Sequence, residues 1–345
     1  MKRAKILTAI ILAVCFLSSN LTLVYANESN NYVIQVNQLA LDSPKDFPTT
    51  SNWVNNKIID LVPLYDMNNS LYAYCVDIVN KDTGNYAYMI ILTITDTPQI
   101  LEFHPNASSP YMNINDKKAY YNGLTKYYTE DTNDMLQDLT TGDKIDKNEI
   151  SMITFNNEKS RSSYNSISGY NNLTGVPDYP FQRGCVPTSL GMMIKYRYGN
   201  SVDSQTTLID KLADKCETTG GGTHHTKVKS GVNDYLYSKN IIPLFCGWMS
   251  ESLWGNPDYG VAYNSLYTYQ IYINSDIPVM VSMLGSYGTS PAYPNGFLNH
   301  SVCGTGYYVG SAGEYIIVHT TEQEGDIFVA YSEYALGAFA WFTLY

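Results

Sequence analysis

The sequence predicts an α+β chain, and three stretches predict it. Residues 72–94 alternate apolar and polar in two runs around an Asp/Gly/Asn loop, as a hairpin does. Residues 185–274 carry apolar residues at helical spacing in four segments. From residue 278 onward the period shortens to that of strands and stays so to the end. Helices followed by an antiparallel sheet, behind a β-rich first half, make an α+β layout.

Taken in order, the chain opens with a basic start, Lys2, Arg3 and Lys5, and an apolar run over 6–17. Val24-Tyr25-Ala26 then offers small residues at a cleavage position. Residues 1–26 are expected to be a secretory signal peptide, giving a secreted, extracellular protein. No later stretch is apolar and long enough for a membrane helix, so no membrane insertion is expected after cleavage. Removing three positive charges takes the formal net charge from −11 to −14. Such an acidic chain repels phosphate backbones, which argues against nucleic-acid binding. Its 32 tyrosines can pack apolar faces while keeping a polar tip.

Residues 27–158 read as a β-rich domain. Strands are expected at 32–36, 72–79, 86–94 and 100–103, with short elements over 120–152 and turn chemistry at Thr141-Gly142-Asp143. Lone His104 has no catalytic spacing around it. Residues 159–169 are small, polar and aperiodic, and read as a linker. The second domain is expected over 170–345. Helices are predicted for 206–215, 226–239 and 263–274 after a first helix at Cys185. Strands follow at 278–284, 300–308, 315–319, 327–331 and 338–345.

The chemistry centres on Gly184-Cys185-Val186-Pro187-Thr188-Ser189. Pro187 suits a first helical turn, and Thr188 and Ser189 can satisfy free backbone donors there. Leu190, Met193, Ile194 and Tyr198 share one helical face, which is expected to be buried. Cys185 thus falls at a helix N-terminus, where the dipole favours thiolate, the reactive form. The competing reading is a small buried residue at a helix start. Five cysteines remain after signal cleavage, an odd number at irregular spacings. That argues against a disulfide framework, with a Cys216–Cys246 pair left open, and leaves one thiol over.

A catalytic thiol needs a base, and histidine is the natural one near neutral pH. His300 opens a strand just after a Gly/Pro-rich loop over 288–296, where it can face a helix N-terminus across a cleft. Adjacent His224 and His225 follow three glycines, but no Cys or carboxylate stands at ligand spacing, so no metal site is expected. No phosphate loop, dinucleotide fingerprint or Gly-x-Ser-x-Gly elbow is present, and no cofactor is expected. Trp248, Trp254, Tyr259 and Tyr263 are candidates for a peptide groove or for core.

The Cys185-x-Pro187-Thr188-Ser189 start, the strand with Pro278-Val279 and the run His300-Ser301-Val302-x-Gly304-x-Gly306-Tyr307 together resemble papain-fold cysteine peptidases. They are most similar to the double-glycine (bacteriocin) leader peptidases and their secreted relatives. The resemblance covers roughly residues 170–335. It implies a papain-like domain in which Cys185 is nucleophile and His300 general base, acting on a peptide or protein. The family's third residue, an Asp or Asn that orients the histidine, falls on Thr320, with His319 or Thr321 as alternative acceptors. Threonine is a departure: it can accept a hydrogen bond but brings no charge. For the oxyanion, the papain fold implies the Cys185 N–H and an upstream side-chain amide, matched by Gln182, with Asn171 and Asn172 as rivals. The β-rich first half resembles the propeptide-like modules of secreted bacterial cysteine peptidases, which cover the cleft until removed. Three readings stay open: a secreted cysteine peptidase, a catalytically inactive peptidase-like binding protein, and acyl transfer to an amine. Oligomeric state is not legible.

Overall fold

The computed structural model describes residues 32–94, 97–132, 135–150, 166–220, 222–248, 266–284, 300–331 and 338–345. The signal-peptide segment, most of the expected linker, Trp254, Tyr259, Tyr263 and the loop before His300 lie outside them.

Residues 32–42 form a helix, α1, where five alternating residues predict a strand. The longer pattern explains the difference. Val36 and Ala40 are fully buried four residues apart while Ile34 is exposed, a spacing that only a helix turns to one side. Strands β1 (Asn56–Tyr65), β2 (Leu71–Asn80), β3 (Tyr86–Leu92) and β4 (Gln99–His104) follow as an antiparallel meander. The predicted hairpin is β2 and β3, and Gly84 takes the positive φ its turn requires. β5 (Ala119–Tyr121) pairs in parallel with β1, and β6 (Tyr127–Thr132), β7 (Met135–Asp138) and β8 (Lys144–Asp146) extend that edge.

The second half begins with β9 (Gly169–Asn172) and four helices: α2 (Cys185–Tyr198), α3 (Gln205–Lys215), α4 (His225–Ser238) and α5 (Leu266–Asn274). Its strands are β10 (Cys246–Trp248), β11 (Val279–Leu284), β12 (His300–Gly310), β13 (Gly313–His319), β14 (Ile327–Ala330) and β15 (Ala338–Leu344). The short β9 and β10 escape a pattern-based reading.

The halves do not sit in separate sheets. The order β10-β15-β11-β12-β13-β14-β4-β3-β2-β1-β5-β6-β7-β8 is one hydrogen-bonded sheet, with β9 added along β12. The seam between halves is β4 against β14, with Phe103 opposite Phe328 and Glu102 opposite Val329. Phe47 plugs it on one face, its ring 4.4 Å from Phe103, 5.3 Å from Phe328 and 5.1 Å from Tyr315. The linker's described end is also tied down. The Ile167 backbone exchanges two 2.7 Å hydrogen bonds with the Gln270 side chain.

Helix α2 is buried continuously from Val186 to Ile194, wider than the one face expected. The sheet covers one side and α3 the other. A Cβ on Gly191 would lie 2.9 Å from Ile209, which shows how closely α3 approaches. No helix among the described residues is long and apolar enough to cross a membrane.

Candidate active site

The segment before α2 is built to hold one geometry. Gly184 caps the helix at φ 142°, ψ 154°, a conformation L side chains avoid, and Arg183 before it sits at φ 61°. The Thr188 hydroxyl reaches back to the carbonyls of Gly184 (2.7 Å) and Gln182 (2.8 Å) and accepts from the Gln182 N–H (3.1 Å). Arg183 is ion-paired to Asp214 on α3 at 2.9 Å. Cys185 therefore starts the helix at a defined position. Its N–H is among the first four of the helix, which have no intrahelical acceptor.

Ser189 bolts the same turn to the sheet. Its hydroxyl donates to the Ser301 carbonyl at 3.0 Å, and the Ser301 hydroxyl meets that of Ser282 on β11 at 2.8 Å. This brings the first residue of β12, His300, to Cys185. The thiol lies close enough to the His300 ring and the Ser301 backbone N–H for both to favour its thiolate form. Burial pushes the thiol's pKa up. The His300 hydrogen bond and charge, with the Ser301 N–H, outweigh it and hold the thiol below its ordinary value, against a smaller opposing effect of Glu322.

The other described cysteines behave differently. All are free, and Cys185 alone is not buried. Burial pushes Cys216 and Cys246 up to about 12 and Cys303 higher still. Cys185 is thus distinguished from the other described cysteines by surroundings that favour the thiolate. The Cys216–Cys246 pair left open by the sequence is two free thiols.

His300 is buried, and its Nε2–H donates to the main-chain carbonyl of Thr320 at 3.1 Å. A carbonyl only accepts, so the proton resides on Nε2 and Nδ1 is the nitrogen left for Cys185. The expectation for Thr320 needs correcting. Its hydroxyl turns away from the ring to accept the N–H groups of Gln323 (3.1 Å) and Glu322 (3.4 Å), closing a tight turn. The ring's partner is the threonine's backbone, not its side chain. A carboxylate lies nearby all the same: Glu322 Oε1 is 4.0 Å from Nδ1.

Gln182 also needs correcting as an oxyanion donor. Its side-chain NH2 donates to the Thr206 carbonyl (3.0 Å) and the Asp210 carboxylate (3.1 Å) of α3, so both N–H groups are engaged elsewhere. Asn171 and Asn172 pair with Tyr307 and Gly306, six to seven residues along β12 from His300, about 20 Å away. His319 belongs to another cluster, with Nε2 3.1 Å from Asp326 and Nδ1 3.3 Å from the Pro177 carbonyl. Burial lowers its pKa, but Asp326, Asp178 and that carbonyl raise it more.

His224 and His225 lie side by side with ring centres 4.4 Å apart and planes tilted by 34°, and burial with the His224 charge takes His225 down to about 4. Among the described residues no group of three or more His, Cys, Asp or Glu side chains could hold a metal ion. Trp248 is buried against Phe342, its indole N–H on the His225 carbonyl at 3.1 Å, which makes it core.

A thiol at a helix start, a histidine on a facing strand and an acceptor behind the ring can carry out nucleophilic acyl transfer. Residues 164–327 match the family model of the Peptidase_C39 like family. The matched span holds Cys185, His300, Thr320 and Glu322 and ends at the first residue of β14. This part of the chain is accordingly similar to cysteine peptidases of the Peptidase_C39 like family, and α1 with strands β1–β8 lies outside the match. A search of curated proteins finds no match to the chain. Sequence reasoning missed Glu322, although it stands only two residues beyond Thr320.

Proposed function

We propose that the protein is a cysteine peptidase that hydrolyses peptide bonds of a peptide or protein outside the cell. The Cys185–His300 contact, with the thiol held below its ordinary pKa, carries this reading. The Cys185 thiolate attacks the scissile carbonyl carbon, and the carbonyl electrons move onto oxygen. The helix-start N–H of Cys185 stabilises that oxyanion. The C–N bond breaks as the His300 imidazolium gives its Nδ1 proton to the leaving amine. Water then attacks the thioester with His300 as base, releasing the acid and restoring the thiol. The Thr320 carbonyl holds the ring in the required tautomer throughout.

The catalytic part has a papain-like arrangement resembling the double-glycine leader peptidases, and the segment 1–26 directs export. The amino-terminal strands assist folding. Their seam with β14 supports retention rather than removal in the working enzyme.

The test is thiol alkylation near pH 6 followed by a peptidase assay. One fast-reacting site is expected, lost in Cys185→Ala and slowed in His300→Ala, since an ordinary thiol near ~8.5 reacts slowly there. Loss of proteolysis in both variants supports the peptidase. A reactive Cys185 with no peptide cleavage would point to the inactive binding protein or to acyl transfer.

A further inference from the structure

The position that the resemblance assigns to the residue orienting His300 supplies only a neutral backbone carbonyl here. Glu322 stands on the same turn, between β13 and β14. Its side chain is 9% exposed, one carboxylate oxygen lies 4.0 Å from His300 Nδ1, and the other is buried without a hydrogen-bond partner. At 4.0 Å the contact is a charge pair rather than a hydrogen bond.

The other half of the chain closes around this turn. Thr125, in the β5–β6 turn, is fully buried with its hydroxyl facing Glu322 without completing a hydrogen bond. Burial pushes the Glu322 carboxyl above its ordinary pKa, and Lys126 and Thr125 pull it back only in part. Tyr88 on β3 meets the Gln323 side-chain amide at 2.9 Å. His104 on β4 donates from Nε2 to the Glu324 carbonyl at 2.8 Å. Every one of these partners lies outside the span matched to the peptidase family. The charged and titratable groups facing Glu322 are His300, Cys185, Lys126, Asp138 and Tyr128.

We propose that Glu322 is a positioning residue of this site: its carboxylate, held beside His300 by the amino-terminal strands, stabilises the imidazolium and sets the pH range of the thiolate–imidazolium pair. The proposal rests on the thiol-peptidase reading above. A negative charge there favours His300 in its protonated form and disfavours the Cys185 thiolate. Removing it lowers both ionisations, so the pair's whole pH window moves to more acidic values.

The experiment is the pH profile of Cys185 alkylation by iodoacetamide in the full-length protein, its Glu322→Gln variant and its Glu322→Asp variant. The profile should have two inflections. The lower marks formation of the ion pair, and the upper marks loss of the imidazolium proton. In Glu322→Gln the upper inflection is expected to fall by about 1 pH unit or more, the shift typical of losing an opposite charge at this distance, with the lower one moving the same way. Glu322→Asp, with the carboxylate drawn back by one methylene, should fall between wild type and Gln. An alkylation profile unmoved in Glu322→Gln overturns the proposal, as does an Asp variant that matches Gln. Should the Gln variant not fold, the Asp variant decides alone, and an upper inflection identical to wild type overturns it. A purely structural role would lower thermal stability without moving both inflections in one direction. If wild-type Cys185 shows no enhanced reactivity at pH 6, the peptidase reading fails. If it is reactive but indifferent to Glu322, only the present proposal fails.

Discussion

Replacing Glu102 with Gln should turn a pH-dependent liability at the seam into a neutral contact. Glu102 is fully buried on β4, opposite Val329 of β14. Three phenols donate to it: Tyr88 and Tyr127 to Oε1, each at 2.5 Å, and Tyr121 to Oε2 at 3.2 Å. Burial pushes its pKa up and the three hydroxyls pull it down; burial wins, and it rises from 4.5 to about 7. Between those values the folded chain holds a proton that the unfolded chain has released. Stability therefore falls as pH rises through that interval and levels off above it. A rise of about 2.5 units, at 1.36 kcal/mol each, corresponds to roughly 3 kcal/mol. Gln keeps the shape and an accepting oxygen but cannot ionise. Urea unfolding of wild type and Glu102→Gln at pH 4, 5, 6, 7 and 8 isolates this residue, because all other carboxylates cancel in the difference. Relative to the variant, wild type should lose about 3 kcal/mol between pH 4 and pH 8. A stability difference constant across that range refutes the reasoning.

Four further outcomes follow from the structure. Gln182→Ala should change kcat less than tenfold, measured on any cleaved peptide, because its amide serves α3; a true oxyanion donor costs about 10²–10³. Thr320→Val should likewise keep most activity, since the carbonyl behind His300 survives, and a loss as large as that of His300→Ala would contradict the assignment. Phe47→Ala, which empties the aromatic plug of the seam, should destabilise by about 3–5 kcal/mol in chemical denaturation. His319→Gln should cost more stability at pH 6 than at pH 8.5. The raised histidine contributes below its ordinary 6.5 and loses that contribution as pH rises through its folded-state value.

The sequence made the local pieces legible where a period ran long enough. Helix α2 was marked by Pro187 and Thr188 at its start, and the β2–β3 hairpin by its Asp/Gly/Asn loop. Residues 32–36 misled because five alternating residues also fit a helix whose buried positions, 36 and 40, extend past the window. The Cys185–His300 pairing was legible as chemistry, since a thiol needs a base and β12 offered one at a strand entrance. What the sequence could not show was direction. Nothing in the string of letters turns the Thr320 hydroxyl into its own turn, aims Gln182 at α3, or lays β4 against β14. The first rests on N–H groups two and three residues on, and the other two on contacts between residues from 24 to more than 200 positions apart.

That last contact changes how the first half is understood. A detachable cover would bury its own core and meet the enzyme through a surface able to return to water. Here the junction is a strand pair carrying a carboxylate too deeply buried to ionise at its ordinary pH, with four aromatic rings within reach of Phe47. Parting β4 from β14 would open the ladder, strip Phe47 of its partners and unlock the turn that holds Thr320 and Glu322 beside His300. The amino-terminal strands are therefore expected to remain in the active protein, and amino-terminal sequencing of the alkylation-competent form should begin ahead of β1, near residue 27 where the proposed export segment is removed. An active form beginning beyond residue 158 would show instead that α2–α5 and their strands hold the His300 geometry unaided.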